Sequence, residues 1–144
     1  MRVADILKGK GNSVMTVKTS ESVGSFAQRL RLAGVGAMVV SNDGNSIIGM
    51  ISERDIAYAL PAHLQDLHEL RVSDLMTGNV ITCSPDDTIA EVSKIMTNRR
   101  IRHVPVKDGR RLTGMISIGD VLKHRLSEIE LEANVLRDIA IAGR

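Results

Sequence analysis

The sequence predicts a mixed α/β (α+β) fold of two β-α-β-β-α repeats, packed as a pseudo-two-fold pair and followed by an extended C-terminal helix. The first observation is internal repetition, since GMISERDI at residues 49–56 returns as GMISIGDV at residues 114–121. Two further pairs recur: VMT at 14–16 returns as VIT at 80–82, 66 residues later, and VADIL at 3–7 returns as VSDLM at 72–76, 69 residues later. Because two similar halves pack against each other, a cleft is expected where they meet.

The first repeat is assigned to residues 1–68, and its elements follow from hydrophobic spacing and turn residues. A short helical turn and a GKGN loop come first. The predicted elements are then an extended run at 14–17, a helix after the N-cap candidates of 19–22 that ends at 34–36, a buried strand at 37–40, a hairpin-type turn at 42–45, a strand at 46–51, and a helix opened by Ser52 to Asp55 that runs toward Leu60.

The second repeat is assigned to residues 69–144 and repeats this order. The predicted elements are a linking turn at 72–76, an extended run at 80–82, a helix capped by SPDD at 84–87 with Pro85 near its first position, a strand at 102–106, a turn at 107–110, a strand at 112–116, and a long helix opened by Ser117 to Asp120. An apolar stripe continues from Val121 to Ile139. This last helix extends past the repeat and is suited to pairing with another chain.

Composition argues against several function classes. Hydrophobic residues make up 43% and charged residues 25% of the 144 residues, which is ordinary for a soluble globular protein. Aromatic residues are 1% and the net charge is +2, which argues against nucleic-acid binding and anionic lipid surfaces. Cys83 is the only cysteine, so no internal disulfide forms. With neither a long apolar run nor a hydrophobic leader, we expect a cytoplasmic protein without a membrane span.

The repeated motif has two interpretations. In both copies a Ser-x-x-Asp sequence follows an apolar strand and opens a helix. The structural interpretation makes Ser52 and Ser117 N-caps, with Asp55 and Asp120 completing capping boxes. The functional interpretation places the same side chains at the mouth of a strand, where α/β folds bind ligands. A carboxylate there accepts hydrogen bonds from a ribose diol, while a hydroxyl and free helix amides serve a phosphate.

These residues resemble a tandem pair of CBS domains (cystathionine-β-synthase-type domains), also called a Bateman module. The motifs that carry the resemblance are VSDLM at 72–76, RIRHVPV at 100–106 and the two copies of GMISxxD. The resemblance covers roughly Val3 to Leu126. It is most similar to the small stand-alone two-CBS proteins of bacteria and to the plant CBSX type.

The resemblance implies a regulatory module that binds an adenosine nucleotide in the cleft between the repeats. AMP, ADP, ATP, NAD and S-adenosylmethionine all stay open as ligands, and no metal is expected. The implied site residues are Asp120 and Asp55 for the ribose hydroxyls, Ser117 and Ser52 beside ribose or phosphate, Thr16 with Asp120 and Thr82 with Asp55, backbone near Val14 and Val80 for the adenine edge, and Arg102, His103 and Arg54 for the phosphates.

The two repeats are not equivalent at one basic position. Arg102 of the second copy corresponds to Gly36 of the first. From this difference we expect more positive charge near Asp120, and therefore a stronger site for a phosphorylated ligand there than at Asp55. The space left by Gly36 would suit a bulkier compound such as a dinucleotide.

Several functions compete at this stage. The first is an energy or redox sensor, expected to work as a homodimer joined through the helices near 23–32 and 89–96. An alternative is a protein-interaction module that regulates a partner such as a thioredoxin, and another is a structural dimer without ligand. An enzyme is not expected, because the sequence offers no nucleophile–base pair, carboxylate dyad or metal constellation.

Overall fold

The computed structural model describes residues 1–143, and Arg144, the last residue of the predicted second repeat, lies outside the described residues. Within these residues the helices are α1 (Val3–Lys10), α2 (Val23–Ala33), α3 (Glu53–Ala59), α4 (Val72–Leu75), α5 (Ile89–Arg99) and α6 (Ile118–Ala142). The strands are β1 (Thr16–Val17), β2 (Ala37–Val40), β3 (Gly49–Ser52), β4 (His103–Asp108) and β5 (Arg111–Ser117).

The first half forms a three-stranded sheet covered by α2. Strand β1 runs parallel to β2, and β2 pairs antiparallel with β3. Helix α2 starts at the N-cap Ser22, whose hydroxyl accepts a hydrogen bond from the Ser25 amide at 3.1 Å, and ends at Gly34 in the left-handed conformation. Its buried side chains Phe26 and Leu30 pack on the sheet, which confirms the predicted helix and its end.

The second half forms an antiparallel hairpin of β4 and β5 covered by α5. The predicted extended run at 80–82 is reduced to a single parallel bridge between Cys83 and Val106. The prediction for Pro85 is wrong, because α5 begins at Ile89 with Thr88 as its N-cap. The carbonyl of Pro85 instead accepts a hydrogen bond from the Ala4 amide at 2.9 Å, so this segment binds the N-terminal helix.

The two halves exchange their leading helices. Helix α1 buries Val3 and Leu7 in the core of the second half, whereas α4 buries Val72 in the core of the first half. The amide of Val3 donates to the Asp87 carbonyl at 2.9 Å, and the amide of Val72 donates to the Glu21 carbonyl at 2.9 Å. Each core therefore contains a helix that lies in the other half of the sequence. The predicted boundary between residues 68 and 69 divides the repeats along the sequence, and it stays a prediction.

The C-terminal helix extends far beyond the core. Helix α6 has 25 residues, which corresponds to a length of about 37 Å. Val121 and His124 are its buried residues. The apolar side chains of the predicted stripe that follow are exposed, with Leu126 at 60% and Ile129 at 61%. No helix within residues 1–143 is both long and apolar enough to cross a bilayer.

Candidate functional site

A cavity of about 240 Å³ lies at the seam between the two halves. From the first half, the cavity is lined by the end of β3 and the start of α3, which carry the repeated motif. From the second half, it is lined by the segment that follows α4 and by the residues that lead into β4. The lining residues are 36–37, Met50, 52–55, Thr77, 79–81 and 100–103. Because both halves form its walls, the cavity exists only when they pack together.

At the mouth of β3, Ser52 and Asp55 form a reciprocal capping box. The Asp55 carboxylate oxygen Oδ2 accepts hydrogen bonds from the Ser52 amide at 2.8 Å and from the Ser52 hydroxyl at 3.1 Å. The Ser52 hydroxyl oxygen in turn lies 3.4 Å from the Asp55 amide. This confirms the structural interpretation of the motif. Within the described chain the other carboxylate oxygen, Oδ1, has no hydrogen-bond partner, so the same residue can cap the helix and bind a ligand.

The second copy of the motif has the same capping box but a different neighbour. The Asp120 Oδ2 accepts from the Ser117 amide at 2.8 Å, and the Asp120 amide donates to the Ser117 hydroxyl at 3.2 Å. Lys10 Nζ also lies 2.7 Å from Asp120 Oδ2 and donates to the Met115 carbonyl at 2.8 Å. Partial burial acts to raise the pKa of Asp120, but the Lys10 and Ser117 hydrogen bonds outweigh it and lower that pKa.

Three arginines line the cavity of Asp55. Arg54 lies two residues after the capping serine Ser52, while Arg100 and Arg102 precede β4. Among residues 1–143 none of the three forms a salt bridge or a side-chain hydrogen bond. Their guanidinium groups are therefore available to an anion from solvent, and carboxylates and phosphates are the anions that guanidinium groups bind with two parallel hydrogen bonds.

His103 lies between the two copies of the motif. Its burial lowers its pKa, the nearby Lys10 lowers it further, and the acidic side chains of Glu53 and Asp120 act in the opposite direction. The net shift is downward, so the imidazole is neutral at pH 7 in the unliganded protein. A Cβ built on Gly36 would stand 3.4 Å from the His103 ring and 3.3 Å from the Glu53 carboxylate, so these two side chains take up the space beside Gly36.

The domain family is decided by comparison with known proteins. A family model for the CBS domain matches residues 3–62 and again residues 72–127. The chain belongs to the CBS domain family. The CBS family consists of regulatory modules rather than enzymes. The two matches leave out the turn region between α3 and α4 and the outer half of α6.

Among curated relatives, the CBS domain-containing protein CBSX3 of Arabidopsis thaliana, a mitochondrial protein, is 31% identical over 129 residues. The match covers 84% of this chain and 63% of that protein, so the chain spans less than two thirds of this relative's length. The solved CBS-domain protein ATU1752 from Agrobacterium tumefaciens is 41% identical, with a TM-score of 0.83, and the match covers 86% of this chain and 92% of that one.

A second solved structure carries adenosine compounds. It is the CBS domain pair of a protein named MJ0100 in complex with 5′-methylthioadenosine and S-adenosyl-L-methionine. This pair is 27% identical to the present chain, with a TM-score of 0.77, and the match covers 89% of this chain and 98% of that one. The CBS pair of the present protein therefore shares its fold with a module that binds adenosine-type ligands.

Of the predicted site residues, the structure brings six together around the cavity: Ser52, Arg54, Asp55, Val80, Arg102 and His103. The remaining five do not line it: Thr82, Thr16, Val14, Ser117 and Asp120. Thr82 follows the lining residue Ile81 and is half-buried beside the Cys83 bridge. Thr16 pairs with Val39 within the first sheet, and its carbonyl accepts from Arg29 at 2.8 Å.

The expected charge distribution between the two copies differs from the observed one. The sequence assigned the charge of Arg102 to the neighbourhood of Asp120. In the structure Arg102 lines the cavity that holds Asp55, because residues 100–103 enter β4 along the seam. The cation that contacts Asp120 is Lys10, from the opposite end of the chain.

Sequence reasoning missed two basic residues. Arg100 lines the cavity, and its alignment with Gly34 between the repeats would have marked it as unusual. Lys10 lies in the segment predicted as a GKGN loop and had no predicted role at the site. The signal for Lys10 was a difference in spacing, since six residues separate Leu7 from Val14 and three separate Met76 from Val80. Residues 1–143 contain no cluster of three or more His, Cys, Asp or Glu side chains suited to a metal ion.

Proposed function

We propose that this CBS pair is a regulatory module that binds one phosphorylated adenosine compound in the cavity of Asp55 and so reports energy or redox state to a partner protein. One observation carries the proposal: a capped carboxylate and three arginines line a single cavity at the seam. The adenosine complex of the related MJ0100 pair supports the ligand class.

In the proposed complex Asp55 binds the sugar. Its Oδ2 is engaged by Ser52, which fixes the carboxylate in one orientation. The free Oδ1 then accepts hydrogen bonds from the ribose hydroxyls. The purine lies against the aliphatic wall formed by Met50, Val80 and Ile81, because the chain has only one Phe and one Tyr and neither lines the cavity.

The arginines bind the phosphates. Each of Arg54, Arg100 and Arg102 presents several N–H donors in one plane, and this geometry matches two oxygens of a phosphate. The single acidic neighbour besides Asp55 is Glu53, so the lining set keeps a net positive charge. A phosphorylated compound is therefore favoured over the free nucleoside.

The size of the cavity narrows the choice of ligand. Its volume of about 240 Å³ lies just below the range of about 300–1,000 Å³ that is typical of small-molecule sites. This volume accommodates one nucleoside, with phosphates extending toward the arginines. We therefore favour AMP, ADP or ATP over NAD, and this choice replaces the expectation that Gly36 admits a dinucleotide.

The regulatory step follows from the position of the cavity. A ligand bound between the halves contacts α3 on one side and residues 100–103 on the other. It therefore stabilises the arrangement of the halves in which both sets of contacts form. A ligand shifts an equilibrium between two arrangements only by its difference in affinity for them. A partner protein that binds one arrangement would then respond to nucleotide concentration.

Isothermal titration calorimetry with AMP, ADP, ATP, NAD and S-adenosylmethionine tests the proposal. Asp55→Asn is expected to lower affinity by about 10- to 100-fold, because it weakens a charged hydrogen-bond acceptor for the ribose. The matched variant Asp120→Asn changes the corresponding residue of the other repeat and is expected to leave this site intact. Equal affinity in the wild type and in Asp55→Asn would contradict the proposed sugar-binding role.

A second comparison isolates the phosphate contacts. Arg102→Ala is expected to weaken AMP binding while leaving adenosine binding nearly unchanged, because only AMP carries the anion. Native mass spectrometry of the purified wild-type protein adds a direct search for a co-purified nucleotide. Equal loss of AMP and adenosine binding in Arg102→Ala would show that the arginine supports the fold of the site and not the phosphate.

We further propose that the module works as a homodimer. Leu32 of α2 is 80% exposed, and a separate shallow groove on the same helix is lined by Leu30, Val35 and Ile56 together with Arg31 and Glu53. Large apolar side chains also remain exposed along the outer part of α6. A second copy that covers α2 and α6 would bury these exposed apolar side chains. The regulated partner and the cytoplasmic location stay predictions.

A further inference from the structure

We infer that Lys10 occupies the second ligand position of the seam, so that the chain binds one nucleotide at Asp55 and holds its own cation against Asp120. This inference rests on the proposed function. Lys10 Nζ contacts two atoms, Asp120 Oδ2 at 2.7 Å and the Met115 carbonyl oxygen at 2.8 Å. The counterparts of these two residues in the first repeat, Asp55 and Met50, both line the open cavity.

The contact follows from a difference in length between the exchanged helices. Leu7 of α1 packs on Gly114, with a Leu7 methyl carbon 2.6 Å from an ideal Cβ position there. Met76, next to α4, packs in the same way on Gly49, with its sulfur at 3.0 Å. These two contacts show that α1 and α4 occupy corresponding positions in the two halves. Yet α1 has eight residues and α4 has four, so α1 continues for one more turn and ends at Lys10.

The segment after the shorter helix α4 places no lysine at the corresponding position beside Asp55. After α4 the backbone of Thr77 pairs with that of Met50 through two hydrogen bonds of 3.0 and 2.8 Å. Thr77 therefore satisfies the Met50 backbone, and the adjoining space at Asp55 stays open. At Met115 the carbonyl is bound instead by the Lys10 ammonium, which also neutralises Asp120. The extra turn thus converts one of two similar positions into a closed one.

Lys10 differs from a phosphate-binding lysine in what it contacts. Its ammonium lies on the carboxylate that corresponds to the proposed sugar-binding group, and that carboxylate compensates its charge. A sugar diol would have to displace it. The side chain of Lys10 is 39% exposed and that of Asp120 is 22% exposed, so the ion pair is partly screened by water. We therefore expect the lysine to weaken binding at Asp120 by up to about tenfold rather than to abolish it.

Calorimetric stoichiometry with AMP and with adenosine tests the inference. Wild type is expected to show one strong site per chain, at Asp55, and a second site at Asp120 that is weaker by up to about tenfold. Lys10→Met removes the ammonium and keeps the length of the side chain, and Lys10→Gln keeps a polar group. Both variants are expected to reveal a second site whose affinity for adenosine is about tenfold higher than in wild type. Lys8→Met is the matched control, because Lys8 lies on the same helix, 81% exposed and 4.0 Å from Asp5.

The double variant Lys10→Met/Asp120→Asn is expected to return to one site, because the sugar-binding carboxylate is then missing. Two equal sites in wild type, or one unchanged site in both Lys10 variants, would contradict the role of Lys10 while leaving the Asp55 site in place. A loss of AMP binding with adenosine binding unchanged would identify Lys10 as a phosphate contact and also overturn the inference. No binding to wild type or any variant would instead contradict the proposed function itself.

Discussion

Arg100 ends helix α5 in the left-handed backbone conformation in which Gly34 ends helix α2, with φ angles of 53° and 66°. Glycine adopts this conformation freely because it lacks a Cβ, whereas other residues lose about 1–2 kcal/mol. Arg100 lines the cavity between the halves, and Gly34 does not. Backbone strain at a residue that lines a site is typical of a functional constraint.

The first prediction exchanges this arginine for the residue of the other repeat. Arg100→Gly is expected to stabilise the fold by about 1 kcal/mol, because the left-handed strain disappears, and to weaken AMP binding relative to adenosine. Urea denaturation and calorimetry measure the two effects. Arg99→Gly is the matched control, since Arg99 is the last residue of α5 and glycine there is expected to destabilise the helix by up to about 1 kcal/mol. A less stable Arg100→Gly protein would refute the strain argument.

A second prediction compares two corresponding glycines. A Cβ at Gly49 would stand 2.7 Å from the Thr77 carbonyl oxygen, a backbone atom held by the pairing with Met50. A Cβ at Gly114 would stand 2.6 Å from the end of the Leu7 side chain, which can rotate away. We expect Gly49→Ala to destabilise by about 3 kcal/mol and Gly114→Ala by about 1 kcal/mol, measured by urea denaturation. The reverse order would show that the Met50–Thr77 pairing is the more adaptable contact.

A third prediction concerns pH. Burial and the charge of Lys10 lower the pKa of His103 below its usual 6.5, against the influence of Glu53 and Asp120. Between the folded pKa and pH 6.5, the unfolded chain therefore binds a proton at His103 that the folded protein does not. The contribution of the neutral His103 to the free energy of unfolding is fully present above pH 6.5 and is lost as the pH falls from 6.5 toward the folded pKa. Wild type is expected to lose more stability than His103→Asn between pH 7.5 and 5.5. Parallel losses would exclude His103 as the titrating group.

The same histidine responds to Lys10. Because Lys10 contributes to the downward shift, Lys10→Met is expected to raise the pKa of His103, as followed by NMR titration of the imidazole. Lys8→Met again serves as the control and is expected to leave the titration unchanged. An unchanged His103 titration in Lys10→Met would mean that the ammonium does not reside beside the seam in solution. This readout needs no ligand.

A fourth prediction concerns the thiol. Burial, aided by the charge of Asp87, raises the pKa of Cys83 to about 12. Since the thiolate is the reactive form, Cys83 is expected to resist iodoacetamide in the folded protein and to react in urea. Cys83 also packs in the core of the second half. Rapid alkylation of the native protein would show that this core opens, and would favour a redox role for the thiol itself over one that acts through the ligand.

A fifth prediction tests the dimer. Among the residues up to 143, none after His124 is buried, so truncation after residue 125 is expected to leave the fold of the two halves intact. The truncated protein is expected to dissociate at least tenfold more readily in sedimentation equilibrium, because the exposed apolar face of α6 is removed. Leu32→Glu, which charges the exposed end of α2, offers an independent probe of the other face. A monomeric wild type would contradict the homodimer.

Many local features of this fold could be predicted from the sequence. The caps of α2, α3 and α6 involve residues three positions apart, such as Ser22 with Ser25 and Ser117 with Asp120, so neighbouring residues determine them. The prediction for Pro85 failed because the backbone around it binds α1, which lies more than 80 residues earlier in the chain. Contacts of this kind leave no local pattern in the sequence.

The order of amino acids is enough to predict two similar halves, each with a strand, a serine cap and an acidic residue at the mouth of the strand. These features depend on hydrogen bonds between near neighbours and on hydrophobic periodicity. Which of the two acidic residues faces an open cavity depends instead on how distant segments pack. That choice depends on Lys10, which reaches Asp120 from 110 positions away because α1 is one turn longer than α4 and packs on the opposite half.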